Sequence, residues 1–459
     1  MNKDLTRGPI TKNIITLALP IIGAAFLQFA YSFTDMLWVG RLGSPAVAAL
    51  GTSGFLVHLA WAIISILLVG TTIRVSHAIG QKDEARAKSI ALNAFLATLV
   101  ASALLTYAVL LFHQHFVGFF NLGDPLTETL AHSYLKIVSI GFMFHFTGLL
   151  FNSISHGRGN SKIPFLITLT GVVLNIILDP ILIFGFSLGV KGAALATVIS
   201  QMVSAVIFWV KCGVPFVGQV RLEKVNLKEI GAICRIGLPP SAQRILFTLV
   251  GIAVARIIAI WGSDAIAAQK IGLQIEAMTF MTMGGMTGAV TSFVGQNFGH
   301  GAMDRVRQGY RVGIGIALGI GGTMTAIFLL FAESMVLWFV SDPEVLKIGT
   351  SYLTIIGLSQ IFMCIEMVTS GVINGIGKTK IPSTINVIFT LIRVPLALYL
   401  SSIESLGING VWYTILISTL LRCAFITLAY HTIKDQHIPL VGKSAEPKST
   451  AQPTTNTTS

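Results

Sequence analysis

A chain of 459 residues that is 53% hydrophobic and only 11% charged carries less than half the charge of an average soluble domain, about 25%. That excludes an ordinary globular protein and predicts an integral membrane one. The formal net charge of +12 would suggest nucleic acid in a soluble chain, but Lys and Arg concentrate here in alternate short loops, so the basicity reads as topology and implies no nucleic-acid partner.

Lys3, Arg7 and Lys12 precede an apolar run that is too long for a signal-peptide core and has no small-residue cleavage pattern, so it reads as an uncleaved anchor. Residues 14–38 of this run form the first predicted span. Gln28, Tyr31 and Asp35 fall at i, i+3 and i+7, on one helical stripe. Pro20 lies in the same helix, where it removes a backbone hydrogen bond and offers a hinge. An ionised Asp costs on the order of 3 kcal/mol at the centre of a spanning helix, which marks Asp35 as functional rather than decorative.

Further apolar segments follow at about 46–73, 88–112, 130–156, 163–185, 191–211, 235–261, 265–293, 308–332, 349–374, 381–401 and 408–432. Tyr134 stands near the start of the fourth span and Thr197 near the start of the sixth. In the fifth, Asn175 and Asp179 share a face at i and i+4, with Pro180 next. Counting from the loops places Asp35, Tyr134, Asn175, Asp179 and Thr197 in the extracytoplasmic halves of their helices, where they can meet. Two carboxylates in one low-dielectric site cannot both ionise cheaply, which is what a proton carrier needs. Met278, Met281, Met283 and Met286 in the eighth span read first as filler in small-residue packing, and second as an adaptable ligand surface. His58 and His145 read as core histidines. Cys212, Cys234, Cys364 and Cys423 have no metal or disulfide spacing, so no metal site and no oxidised scaffold are expected.

The two halves of the chain repeat. Leu19-Pro20 matches Leu238-Pro239, and Gly43-Ser44 matches Gly262-Ser263, both 219 residues on; the register runs to Gly80 with Gly299 and Arg86 with Arg305. At a displacement of 218, Asp124-Pro125 matches Asp342-Pro343, Ser133-Tyr134-Leu135 matches Ser351-Tyr352-Leu353, and Lys162-Ile163-Pro164 matches Lys380-Ile381-Pro382. Gly157 and Gly159 likewise match Gly375 and Gly377. Six spans per repeat return the chain to its starting side, so the halves should be parallel repeats about an axis along the membrane normal. The expectation is an all-α integral membrane protein of twelve transmembrane helices in two six-helix lobes. Residues 1–211 are the N-terminal lobe, 212–234 a cytoplasmic linker, 235–434 the C-terminal lobe and 435–459 a disordered tail, with both termini cytoplasmic.

The acidic cluster belongs to one lobe only. Asp35 falls on Val254, and Asn175, Asp179 and Thr197 fall on Arg393, Ala397 and Ile415. If helix packing required the cluster, the twin lobe would need it too, so its one-sidedness favours function. The C-terminal lobe carries its own charges, Arg244, Arg256, Glu276, Glu366, Arg393 and Arg422. Glu366 and Arg393 come out at similar depth and are expected to pair. No phosphate-binding loop, metal-ligand set or nucleophile with its base is visible, which argues against an enzyme or an ATP-driven pump.

These residues resemble a known family. The two six-helix repeats, Leu19-Pro20, Asp35 followed by Trp38-Val39-Gly40, Arg158-Gly159-Asn160-Ser161-Lys162 and Leu174-Asn175 with Asp179-Pro180 resemble the multidrug and toxic compound extrusion family, over about residues 10–435. The lobe asymmetry looks most like its DinF-type prokaryotic branch, and the resemblance implies a cation-coupled drug antiporter of the prokaryotic inner membrane. Asp35 then matches the first-span carboxylate, Asn175 and Asp179 the fifth-span pair, and Gln28, Tyr134 and Thr197 their polar companions. Asn152 matches a polar position of the fourth span, and Pro20 the bend site. Where the sodium-type branch has carboxylates in spans seven and ten, this chain has Ile245 or Leu246 and Met363. The expected function is export of amphipathic, cationic drugs or toxins by a monomer among membrane lipids, in exchange for protons, with no cofactor. Sodium coupling is the alternative, and a flippase for lipid-linked oligosaccharides, with Arg244, Arg256, Arg393 and Arg422 lining a phosphate groove, is the rival.

Overall fold

Backbone polar groups in hydrocarbon must be satisfied within the protein, and a helix does this inside one segment. In the computed structural model, which describes residues 4–120, 122–218 and 225–433, every regular element is accordingly helical. The expected tail at 435–459 and residues 219–224 of the expected linker lie outside the described residues.

The helices run α1 Ile10–Gly40, α2 Ser44–Gly80, α3 Glu84–Phe119, α4 Pro125–Gly157, α5 Lys162–Gly185 and α6 Val190–Phe216. The second half follows with α7 Leu227–Trp261, α8 Ser263–Gly299, α9 Met303–Leu337, α10 Pro343–Gly375, α11 Lys380–Ser401 and α12 Asn409–Ile433. Among the described residues, ten are long and apolar enough to cross a membrane, and the bent α10 makes an eleventh. The twelfth, α8, has 37 residues, as does its counterpart α2. Its length suffices, and Asp264, Gln269, Lys270 and Glu276 lower its hydropathy.

Among the described residues, five helices depart from regularity: α6 widens into a π turn over Trp209–Gly213 and α9 kinks at Phe331, and three others do so for evident local reasons. Helix α10 bends by 49° between Pro343–Gly357 and Gln360–Gly375, where the hydroxyls of Ser359 and Thr325 donate to the carbonyls of Ile356 and Gly357 at 2.7 and 2.8 Å and so compete for the helix ladder. Helix α11 breaks at Ile392, since Pro395 has no N–H to offer the carbonyl of Leu391. Helix α5 widens into a π turn over Ile181–Gly185, directly after Pro180. Helix α1, in contrast, runs unbroken through Pro20.

The repeat is visible in the backbone. Gly43 and Gly262 start α2 and α8 at φ of 101° and 90°, a region open to glycine. Asp124 and Asp342 cap α4 and α10, each accepting from two backbone N–H groups of the first turn. Two lobes of six helices result, α1–α6 and α7–α12.

The lobes meet along α1, α2, α7 and α8, closely packed as far as the end that carries the basic loops. A Cβ built on Gly80 would lie 2.0 Å from the carbonyl oxygen of Gln296, and one on Gly299 would lie 2.2 Å from that of His77. Two side chains latch this seam. His77 Nε2 lies 2.7 Å from the carbonyl of Gly375, at the end of α10, and Gln296 Nε2 donates to the carbonyl of Gly157, at the end of α4, at 3.0 Å. Residue 77 is repeat partner to 296 and 157 to 375, so the two latches are one contact made twice. Arg74 adds an ion pair to Glu229 of α7 at 2.6 Å, and Leu5, fully buried, donates its N–H to Gln296 Oε1 at 3.1 Å.

Helix α1 straddles the lobes. Ile14, Leu17 and Ala18 share a core with Met283, Met286 and Ala289 of α8, whereas Val39 joins the core of α2 and α4. The helix changes lobes just beyond Pro20. Met283 and Met286 thus act as filler between α1 and α8, while Met278 is exposed.

Candidate functional site

The upper half of α1 faces α5 and α6. Tyr31 Oη lies 3.0 Å from Thr197 Oγ1, the hydrogen bond that joins α1 to α6. Asn175 Nδ2 donates to Asp179 Oδ1 at 3.3 Å, and both residues are fully buried. Asp35 is 7% exposed. Asp35, Asp179, Tyr31 and Tyr134 lie within electrostatic reach of one another. Six of the expected site residues, from α1, α4, α5 and α6, therefore converge.

Three oxygens of this cluster are buried without a protein partner, Asp35 Oδ1, Asn175 Oδ1 and Asp179 Oδ2. All three are acceptors. A proton converts a carboxylate oxygen into a donor and can join two such groups; a hard cation could also use carboxylate, amide and hydroxyl oxygens. Among the described residues, no group of three His, Cys, Asp or Glu side chains is disposed to hold a metal ion.

Beside the carboxylates lies a cavity of about 100 Å3. Gln28, Tyr31, Asn152 and Thr197 line it, whereas Asp35, Tyr134, Asn175 and Asp179 do not. The Tyr31–Thr197 pair belongs to both, as part of the cavity wall and neighbour of the carboxylates. Asn152, matched above to a polar position of the fourth span, lies in the cavity wall. Sequence reading missed His145, Gly148, Gly171, Ser200, Gln201 and Ser204, which also form the wall. His145 is a wall residue as well as a neighbour of Phe146, while His58 stacks on Trp61.

The C-terminal lobe corrects one expectation. Glu366 and Arg393 do not pair: Glu366 Oε1 accepts from Ser370 at 3.0 Å and Asn386 at 3.1 Å, while Arg393 donates to Ser418 at 2.6 Å and Thr419 at 3.4 Å. Neutral partners on the same or an adjacent helix satisfy each charge.

The MatE family model matches residues 20–181 and 239–399, once in each lobe. The chain belongs to the MatE family. It is 30% identical to the probable multidrug resistance protein NorM of Thermotoga maritima over 90% of each chain. It superposes with a TM-score of 0.87 on a MATE transporter crystallised in the straight conformation, 25% identical, over 94% of this chain and 97% of that one. A MATE structure in the bent conformation, 24% identical, gives 0.87 over 94% and 96%. As a MatE protein the chain is a multi-pass membrane transporter and not an enzyme. The twofold match is the repeat read above, and the carboxylates of α1 and α5 lie inside the first matched segment.

Proposed function

We propose that this MatE protein is a secondary multidrug efflux antiporter that exports amphipathic cations in exchange for protons bound at Asp35 and Asp179. The observation that carries this reading is the adjacency of two buried carboxylates with unpartnered oxygens to a polar cavity, through the shared Tyr31–Thr197 wall. The NorM relative, named for multidrug resistance, supports the substrate class. Asn175 and Thr197 tune the carboxylates, and Gln28, Tyr31, Tyr134 and Asn152 form the polar network around them. Pockets for drug-sized ligands span about 300–1,000 Å3, more than this cavity offers, so the cavity takes a substrate's head group. The basic loops face the cytoplasm of a prokaryotic inner membrane, which puts both termini inside. The protein works as a monomer and needs no cofactor. Transport of a cationic dye in vesicles under an imposed proton or sodium gradient tests the reading, and uptake driven by sodium alone would replace the proton.

The flippase reading is disfavoured because Arg393 and Arg422 are bonded to Thr419 inside the C-terminal lobe, and Arg244 stacks on Trp61 at 4.5 Å. Restoration of a flippase-deficient strain, without drug resistance, would favour it.

Pro20 sits where α1 passes from one lobe's core to the other's, so a bend there can move Asp35 without unpacking either half. Shifting a two-state helix from about 1:9 to 9:1 needs roughly 2.6 kcal/mol, the equivalent of about a two-unit difference in proton affinity. Pro20→Ala is expected to abolish any pH-dependent change in spin-label distances along residues 14–38, together with transport. Transport that persists in this variant would mean direct competition between proton and substrate, without a hinge.

A further inference from the structure

The internal repeat assigns every wall position of the N-terminal cavity a partner in the C-terminal lobe. Gly148 corresponds to Glu366, Gly171 to Phe389 and Ser204 to Arg422, while Asn152, Thr168 and Ser200 correspond to Ser370, Asn386 and Ser418. Three of the smallest wall residues are thus replaced by three of the largest side chains. Glu366 bonds to Ser370 and Asn386, both at wall-equivalent positions. Arg422 donates to Thr419, the partner of Gln201, at 3.2 Å. From the position equivalent to Asn175, Arg393 bonds to Ser418 and Thr419 and lies 5.6 Å from the ring of Phe247, the partner of Gln28. Glu366, Asn386, Ser418 and Thr419 are each 5% exposed or less, and Arg393 and Arg422 are 8% exposed.

We propose that Glu366 and Arg422 fill, in the C-terminal lobe, the volume that forms the cavity in the N-terminal lobe, and so confine the transported cation to one lobe. The proposal rests on the N-terminal cavity being the substrate site. Its physical basis is volume: the side chains occupy the space in which an incoming cation would have to bind, and their bonds to Ser370, Asn386 and Thr419 hold them there. Glu366 and Glu276, which accepts from Tyr352 at 3.1 Å, balance the two arginines, which lets the charges remain buried without a ligand.

The test transplants the small residues. Purified protein in detergent is titrated with the cationic dye rhodamine 6G by equilibrium dialysis. Wild-type protein is expected to bind one dye, and Glu366→Gly with Arg422→Ser to bind two, while E366Q alone, which keeps the shape, still binds one. A wild-type protein that binds none would sink the function proposed above, and with it the confinement of the cation to one lobe. One dye on the folded double variant would overturn the plug and leave that function standing. Should the double variant not fold, an azide-bearing photoreactive cation cross-linked to wild-type protein decides by peptide mapping. Label confined to α1–α6 supports the proposal, and label on α10–α12 overturns it.

Discussion

Asp35→Asn is expected to leave a folded protein and reduce gradient-driven dye efflux to the level of vesicles without transporter. The substitution keeps the shape of a side chain that is 7% exposed and removes a charge that is costly to bury, so thermal stability should hold or rise. What is lost is the exchangeable proton. One proton crossing about 100 mV releases roughly 2.3 kcal/mol, enough to hold about a fiftyfold gradient of a neutral substrate, and an amide cannot couple to it. Binding of the dye at equilibrium should survive, because Asp35 does not line the cavity. Normal efflux by a well-expressed variant would remove Asp35 from the mechanism and leave Asp179 to carry the proton alone.

A comparable loss, by another route, is expected from Gly80→Ala or Gly299→Ala. Their added methyl groups would stand 2.0 and 2.2 Å from backbone carbonyl oxygens across the seam, where ordinary contacts need more than 3 Å and close-packed surroundings yield little. The backbones must part by about 1 Å. That distance separates His77 from Gly375 and Gln296 from Gly157, so each variant should populate states with the basic end open. Spin labels at Ala85 and Asp304, which are repeat partners on α3 and α9, should report longer distances. Transport should fall even though both carboxylates are untouched. If the distances and the transport rate match wild type, the seam does not gate the cycle.

Much of this was legible in the sequence because it depends on spacing along the chain. The repeat, the alternating basic loops and the turns at Gly43 and Gly262 are properties of order and register. The stripe of Gln28, Tyr31 and Asp35 and the pair Asn175 and Asp179 follow from helical periodicity. The cavity was legible only in part, since its extent depends on what is small: Gly148, Gly171 and Ser204 announce nothing until the side chains around them are placed. The expected Glu366–Arg393 pair failed for a related reason. Depth counted from a loop fixes position along a helix axis but not rotation about it, and each charge found hydroxyl or amide partners on its nearer neighbours. The break in α10 was hidden as well, for it arises where Thr325 of another helix reaches the carbonyl of Gly357.

The doubled latch also bears on how such a chain can change over generations. At the seam the two halves are related by the repeat's twofold, so a substitution at Gly80 meets Gln296, three residues from Gly80's own counterpart Gly299 in the opposite copy. Drift there is constrained twice, once by the residue's own lobe and once by its twin. The lobe interiors face no such reciprocity, and there the copies have parted: glycine against glutamate at 148 and 366, asparagine against arginine at 175 and 393. Duplication therefore left a fixed hinge line and two chambers free to specialise, and a chimera carrying two N-terminal halves should still close at its seam while holding two acidic chambers in place of one.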